Sequence, residues 1–295
     1  MKKIFTMVVA MMAAVSVWAY DFPGFQWSAG CEFTNAYLWR GMRCGGMSFQ
    51  PDVTVGYGGL NLEGWANIGS VDNSFHAINP ELDLSLSYTF SALTVGVTHY
   101  HYFNGSKYFD YRNAIPEFTE NGFVRLDEEG EPVWERRTTN QIEVFAKFEL
   151  AELVEKIPLS VTWSTFVGGD DWRPLYRDEQ NPDSITGFKR AFSSYLEFSY
   201  EAELPLGFSL IPTVGCTPWA STYNNYENKF SVNNISLKLN WELNVKDVMT
   251  LDVYGIAMLN TAGLNKHNFW PSAADSQYNQ RFNLAAGVGI WFGNK

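Results

Sequence analysis

Period-two alternation is the feature that leaves this chain the fewest folds. Residues 81–90 show it plainly. Leu82, Leu84, Leu86, Tyr88 and Phe90 fall on one face, and Glu81, Asp83, Ser85, Ser87 and Thr89 on the other. Successive side chains of a strand point to opposite faces, so this segment is a strand with one apolar and one polar surface. About a dozen stretches share the pattern. A sheet built from them has a single apolar surface that something must cover. Closing the sheet into a barrel in lipid covers that surface and removes the sheet's edges. The expected fold class is all-β: a transmembrane antiparallel up-and-down β-barrel of about 12 strands.

The alternation predicts strands over residues 25–39, 49–57, 60–69, 80–90, 93–103, 139–150, 157–167, 191–204, 207–217, 231–243, 249–259 and 281–292. An even count suits a bacterial single-chain barrel. Gly58-Gly59, Ser91-Ala92 and Pro205-Leu206 read as tight turns. Residues 151–156 and 244–248 are also short connections. Between them lie longer segments at 40–48, 70–79, 104–138, 168–190, 218–230 and 260–280. Short and long connections alternate, as they do when short turns face the periplasm and long loops face outward. The longest loop, 104–138, is acidic, with Asp127, Glu128, Glu129 and Glu131. A loop of that length is expected to cap, constrict or bind.

Parity then assigns faces. Ile142, Val144, Ala146, Phe148 and Leu150 fall on the lipid side, as do Phe192, Leu196, Phe198, Tyr200 and Leu204. The opposite parity places Glu63, Glu81, Asp83, Glu143, Glu149, Glu197, Glu201, Glu203, Glu242 and Asp252 inside, against Lys147, Lys238 and Arg281. The expected pore lining is Glu143, Glu197, Glu201, Glu242, Lys147, Lys238 and Arg281. Acidic groups on a low-dielectric wall concentrate cations and repel anions. A dozen strands enclose little more than a small channel, so an inward network could also fill it.

Residues 1–19 read as a secretory signal, with Lys2 and Lys3 before an apolar run and small Val17 and Ala19 at the cleavage positions. The barrel is then expected over 20–295. Ser28-Ala29-Gly30-Cys31 loosely resembles a lipobox, but Asp21 and Pro23 separate it from the apolar run. Losing the leader removes two lysines and no acid, taking the net charge from −11 to −13. That balance argues against nucleic acid, which needs a basic face. Aromatic residues make up 16 % of the chain and charged residues 18 %. Trp and Tyr in this abundance suit membrane–water interfaces. Cys31, Cys44 and Cys216 give an odd count and no metal spacing. No cofactor or metal is expected.

Two groups could carry chemistry. His99 and His101 sit in Thr98-His99-Tyr100-His101-Tyr102-Phe103, with Ser106 shortly after. A nucleophilic serine needs a histidine within hydrogen-bond reach and a third group to orient it. Parity puts both histidines on the face of Val95 and Val97, near the outer rim, where interfacial residues are the plainer reading. Asp170-Asp171 and Asp178-Glu179 could bind calcium or act as a carboxylate pair. They lack the Asp-x-Asp-x-Asp-Gly pattern and read as solvated or lipopolysaccharide-bridging charges. No catalytic residue is expected, and the chain is not read as an enzyme.

The segment Asn35-Ala36-Tyr37-Leu38-Trp39-Arg40-Gly41-Met42, followed by Gln50-Pro51, resembles the opening strand and loop of the TorF-type porins and of related Bacteroidota barrels of unknown function. The resemblance is specific over about residues 33–69 and generic afterwards. It implies an outer-membrane barrel and, more weakly, transport, and it supplies no catalytic residues. Tyr37, Trp39, Arg40 and Gly41 are expected as a rim motif. Trp39 suits the outer interface, Gly41 lets the chain turn, and Arg40 pairs with inner carboxylates or with lipopolysaccharide phosphate. The terminal Ile290-Trp291-Phe292 looks like the signal read by the barrel-assembly machinery. The expectation is a porin-like channel of the cell outer membrane, passing small neutral or cationic solutes. The alternatives are a structural or surface-binding barrel with a filled lumen and, less well supported, an outer-membrane enzyme. The expected partners are outer-membrane lipid and lipopolysaccharide, the assembly machinery and small solutes.

Overall fold

The computed structural model describes residues 24–294, except 71–77, 104–105, 129, 156, 179–180, 182, 246–248 and 263–280. The signal segment 1–19 and most of the 260–280 loop lie outside the described residues. Twelve barrel strands run in chain order: β1 (Phe25–Thr34), β2 (Ser48–Tyr57), β3 (Leu60–Ser70), β4 (Ile78–Phe90), β5 (Leu93–Tyr102), β6 (Gln141–Glu149), β7 (Leu159–Gly169), β8 (Ser194–Tyr200, resuming at Ala202–Leu204), β9 (Phe208–Thr217), β10 (Ser231–Val245), β11 (Met249–Leu259) and β12 (Phe282–Asn294). Each pairs antiparallel with its sequence neighbours. β12 pairs back onto β1, from Trp27 opposite Asn294 to Thr34 opposite Gly287, and closes the ring. Among the described residues the barrel sheet has no open edge, which is how a sheet survives in lipid.

The alternation explains the faces. Leu62, Leu86, Tyr88, Phe90, Val95, Val144, Phe198, Leu237, Leu239, Leu284 and Val288 are exposed on the outside. Most of the buried side chains are polar, including Gln50, Asp52, Asn67, Glu81, Thr98, Glu143, Ser164, Asn234 and Asn283. A water-soluble core has the opposite arrangement. At one end the turns are tight. Gly58 and Gly59 both have positive φ, +58° and +89°, as a two-residue hairpin of matching twist requires. The long loops gather at the other end.

The strand expectations differ from the structure mainly at the long-loop end. The first strand stops at Thr34 rather than at residue 39, the sixth starts at Gln141 and the eighth at Ser194. Three small hairpins form within the long loops: Tyr37–Trp39 with Met42–Gly45, Ile115–Pro116 with Trp134–Arg136, and Trp172–Tyr176 with Ile185–Arg190. The last two associate: the Val124 N–H donates to the Ile185 carbonyl at 2.7 Å, and Trp134 lies 4.6 Å from Phe188. The first goes elsewhere.

Candidate functional site

The first long loop turns into the barrel. Asn35 starts the turn by donating its N–H to the Ala286 carbonyl at 3.1 Å, while its side chain accepts from the Ala286 N–H at 2.8 Å. The Trp39-Arg40-Gly41-Met42 segment then reverses the chain. Arg40 and Gly41 have φ of +48° and +85°, with Trp39 opposite Met42. Positive φ at both central positions is the two-residue hairpin of type I′ character. Gly41 is required twice over, because a Cβ here would stand 1.9 Å from the Asn233 carbonyl oxygen on β10. The Asn260 amide donates to the Gly41 carbonyl at 3.1 Å and pins the tip.

Arg40 leaves the tip toward β6 and β7. In a ring of twelve, β7 faces β1, so the hairpin spans the lumen. Its guanidinium donates to both oxygens of Glu143, at 2.6 and 2.9 Å, to the Tyr223 hydroxyl at 2.5 Å and to Ser164 Oγ at 3.0 Å. Tyr100 donates to the same carboxylate at 2.8 Å. The guanidinium carbon lies 4.6 Å from the Trp39 ring centre and 5.0 Å from that of Tyr195. Exposure is 13 % for the Arg40 side chain and 2 % for Glu143. A bidentate pair with aromatic stacking is the arrangement that offsets the cost of burying two charges. Tyr100, Tyr102, Phe166, Tyr195 and Tyr223 form the buried aromatic cluster, with Trp39 and Met42 packed against it.

Tyr223 comes from a second inward loop. A short 3-10 turn, Thr222–Asn224, is capped by Ser221. It is tied to the wall where the Thr222 N–H donates to Ser193 Oγ at 2.8 Å. Ser193 in turn donates its N–H and hydroxyl to Asp171, at 2.9 and 2.5 Å. Burial pushes the Asp171 carboxyl up, and the Ser193 hydrogen bonds oppose that shift.

Three expectations are corrected. Tyr37, Trp39, Arg40 and Gly41 form a strut across the lumen rather than a rim motif, although Arg40 keeps its expected pairing with an inner carboxylate and Gly41 its expected turn. Trp39 meets Tyr100 and Tyr223 at 5.9 and 5.6 Å instead of the lipid interface. The electrostatic reason is Glu143, a buried carboxylate that draws Arg40 inward. Glu143 faces the lumen as parity requires, but its charge is matched by Arg40 and does not line a free path. Arg281 precedes β12 at the long-loop end and is exposed there, outside the strand it was assigned to.

The other expected residues lie as follows. Glu197 accepts from Tyr195 at 2.7 Å, and Tyr195 accepts from the Asn234 amide at 3.0 Å. Lys147 pairs with Glu149 at 2.7 Å, both about two-fifths exposed. Lys238 sits 4.3 Å over the Tyr254 ring, and Tyr254 donates to Glu32. Glu201, Glu203 and Glu242 are exposed near the short-turn end. Sequence reading missed Glu32, Asp52, Trp65, Tyr195 and Tyr223. The first four are legible by parity on their strands, whereas Tyr223 is loop-borne and carries no signal.

The histidines are also placed differently from a catalytic pair. The segment 106–112 crosses the outer wall over them. His101 stacks on Tyr108 at 3.9 Å and His99 on Phe109 at 4.5 Å. Tyr111 occupies the Nδ1 of His99 at 2.5 Å, and Asn140 that of His101 at 2.7 Å. Ser106 Oγ bonds to Thr139 Oγ1 at 2.9 Å rather than to a histidine. The longest loop thus straps the outside of the barrel with this segment, and the lumen is spanned by the loop after β1. Asp170 is held by Arg137 at 3.0 and 2.9 Å, while Glu179 lies outside the described residues. Cys31, Cys44 and Cys216 are free thiols.

No family model matches this chain, and no curated protein matches it. Among solved structures it is similar to an outer-membrane channel from Pseudomonas putida F1, at 13 % identity and a TM-score of 0.43 over 92 % of this chain and 96 % of that one. It is also similar to the NanC porin, at 10 % identity and a TM-score of 0.42 over 90 % and 98 %. A third is the translocator domain of autotransporter NalP from Neisseria meningitidis, at 11 % and 0.36 over 97 % and 96 %. Likeness at this level assigns no function, so the functional reading rests on the chain's own geometry.

Proposed function

We propose that the chain is a bacterial outer-membrane barrel acting as a narrow, porin-like channel for small neutral or cationic solutes. In this reading residues 1–19 direct export and are removed, the assembly machinery inserts the barrel, and the long loops face outward among lipopolysaccharide. One observation carries the reading. The hairpin after β1 spans the lumen and neutralises Glu143, while Glu32, Asp52, Glu63, Asp83, Glu197 and Asp252 remain on the lumen-facing parity, with Lys238 beside Glu32 and Lys147 paired to Glu149. Such a wall attracts cations and repels anions.

The test is planar-bilayer conductance of the refolded full chain across a potassium chloride gradient. Small unitary currents with a reversal potential favouring potassium are expected. Preference for chloride defeats the charge argument. A second reading is a structural barrel with a filled lumen, favoured by the sealed cluster around Arg40, Tyr223 and Phe166. A folded preparation that carries no current in either direction selects that reading.

A further inference from the structure

The strap over the outer wall has a second face. His99 and His101 carry the lipid-facing parity of β5, and the segment 106–112 covers them. From Leu93, at a tight turn, to His101 the strand runs about 27 Å. That is comparable to the apolar band of a membrane barrel, so the strap sits at the band's long-loop border. Phe109 and Tyr108 each stack one ring face on a histidine, yet they are 61 % and 53 % exposed. Their other faces therefore point away from the protein. Phe103 is also exposed and stands edge-on to Tyr108 at 5.9 Å. Phe109 holds a left-handed φ of +56°, which an aromatic residue rarely adopts. Further down the same wall Leu86, Val95 and Val144 are exposed in their turn, so the rings continue the lipid-facing surface upward.

Cations frame these rings. Lys107 is exposed beside Tyr108 and makes no ion pair among the described residues. Arg112 is exposed and grips Asp110 at 2.9 and 2.6 Å. Arg136 donates to the Asn113 carbonyl at 3.3 and 3.1 Å and acts on the same Asp110 carboxylate. Three cations thus surround one acid. Aromatic rings with polar neighbours settle where hydrocarbon meets headgroups, and basic side chains at that level meet phosphate. A zwitterionic lipid brings its own ammonium to its phosphate and has little use for three more cations. A phosphorylated glycolipid brings none.

We infer that the strap is a docking surface for a phosphorylated glycolipid of the outer leaflet. Its acyl chains lie against Phe103, Tyr108 and Phe109, and its phosphate lies among Lys107, Arg112 and Arg136. The inference rests on the outer-membrane placement in the proposed function, and not on conduction.

The experiment titrates the full chain, refolded in detergent, with diphosphoryl lipid A and reads bound lipid by native mass spectrometry. Phosphatidylethanolamine is the control. Saturable lipid A binding, clearly tighter than that of the control, is expected. Combining Lys107→Ala, Arg112→Ala and Arg136→Ala should weaken it about tenfold, as loss of three exposed charge contacts does. Any conductance should stay at the wild-type level, because the strap lies outside the lumen. Arg173→Ala with Lys189→Ala removes two cations from another outer hairpin and should leave lipid A binding unchanged. If the triple variant does not fold, Lys107→Glu replaces it and should weaken binding severalfold. Equal binding of the two lipids overturns the surface. So does wild-type affinity in the folded strap variants, or an equal loss in the Arg173 and Lys189 variant. Displacement of lipid A by millimolar inorganic phosphate overturns the lipid as occupant. A chain that refolds in detergent and binds no lipid A loses this surface and keeps the membrane reading. A chain that stays folded and soluble without detergent loses the membrane reading itself.

Discussion

Two carboxylates face the same lumen under opposite conditions. Glu143 on β6 is matched by Arg40, Tyr100 and a bidentate geometry. Asp52 on β2, four strands away around the ring, is also buried and leaves one oxygen without a donor. The alternation that placed both inside is identical. What separates them is whether the hairpin after β1 reaches them with a cation. An inward acid is therefore not a functional class of its own. Matched by a cation it anchors structure, and without one it adds only to the field on the lumen side.

The strongest way to break the contrast is Glu143→Ala. It leaves a buried guanidinium without its counter-charge and is expected to cost about 3–5 kcal/mol. Urea unfolding followed by tryptophan fluorescence would show it. Arg40→Leu with Glu143→Leu should recover most of that loss, since removing both charges together is far cheaper than removing one. If the single and double variants are equally unstable, the pair is not the anchor.

Gly41→Ala comes next. A side chain at φ +85° and against the Asn233 carbonyl should cost about 1–3 kcal/mol. It should also move the hairpin tip and raise unitary conductance over wild type. An unchanged current would show that the strut does not narrow the lumen.

Asp52→Asn should behave in the opposite sense to Glu143→Ala. Removing a buried carboxylate that no cation matches is expected to leave stability within about 1 kcal/mol of wild type or to raise it. The reversal potential should move toward lower potassium preference. A loss as large as that of Glu143→Ala would erase the distinction between the two walls.

The smallest effect lies in the strap outside the barrel. Arg112 hydrogen-bonds the Asp110 carboxyl and holds it down at about 2. A depressed folded value means the contact contributes above the ordinary carboxylate value, near 4, and is lost as pH falls through about 2. Carbon NMR of Asp110 should show that midpoint, and Arg112→Ala should return it to the ordinary range. Barrel stability should follow it only weakly, because Arg112 is solvent-exposed and the two residues are neighbours in the chain.

Much of this was legible from the chain. Leu82 to Phe90 fix their faces by spacing alone, and the alternation of short and long connections orders the strands. Both signals are local, and neighbour-to-neighbour pairing converts them into a ring without further information. Glu143, Glu197 and Lys238 reached the lumen for the same reason. Trp39 did not follow from sequence, because tryptophan suits a lipid interface and an aromatic lumen equally. His99 and His101 sit on the parity expected, but the strap from Tyr108 to Tyr111 that covers them depends on how a loop folds back.

The sequence by itself determined a closed sheet with a greasy outside and an acidic inside, since period two acts residue by residue on every strand. Only the tertiary structure decided that the Tyr37–Gly45 hairpin crosses the interior instead of reaching outward. Its partners, Glu143, Ser164, Tyr223, Asn233 and Asn260, lie more than a hundred residues along the chain. A buried charge settles where its counter-charge is, and no local pattern records that address.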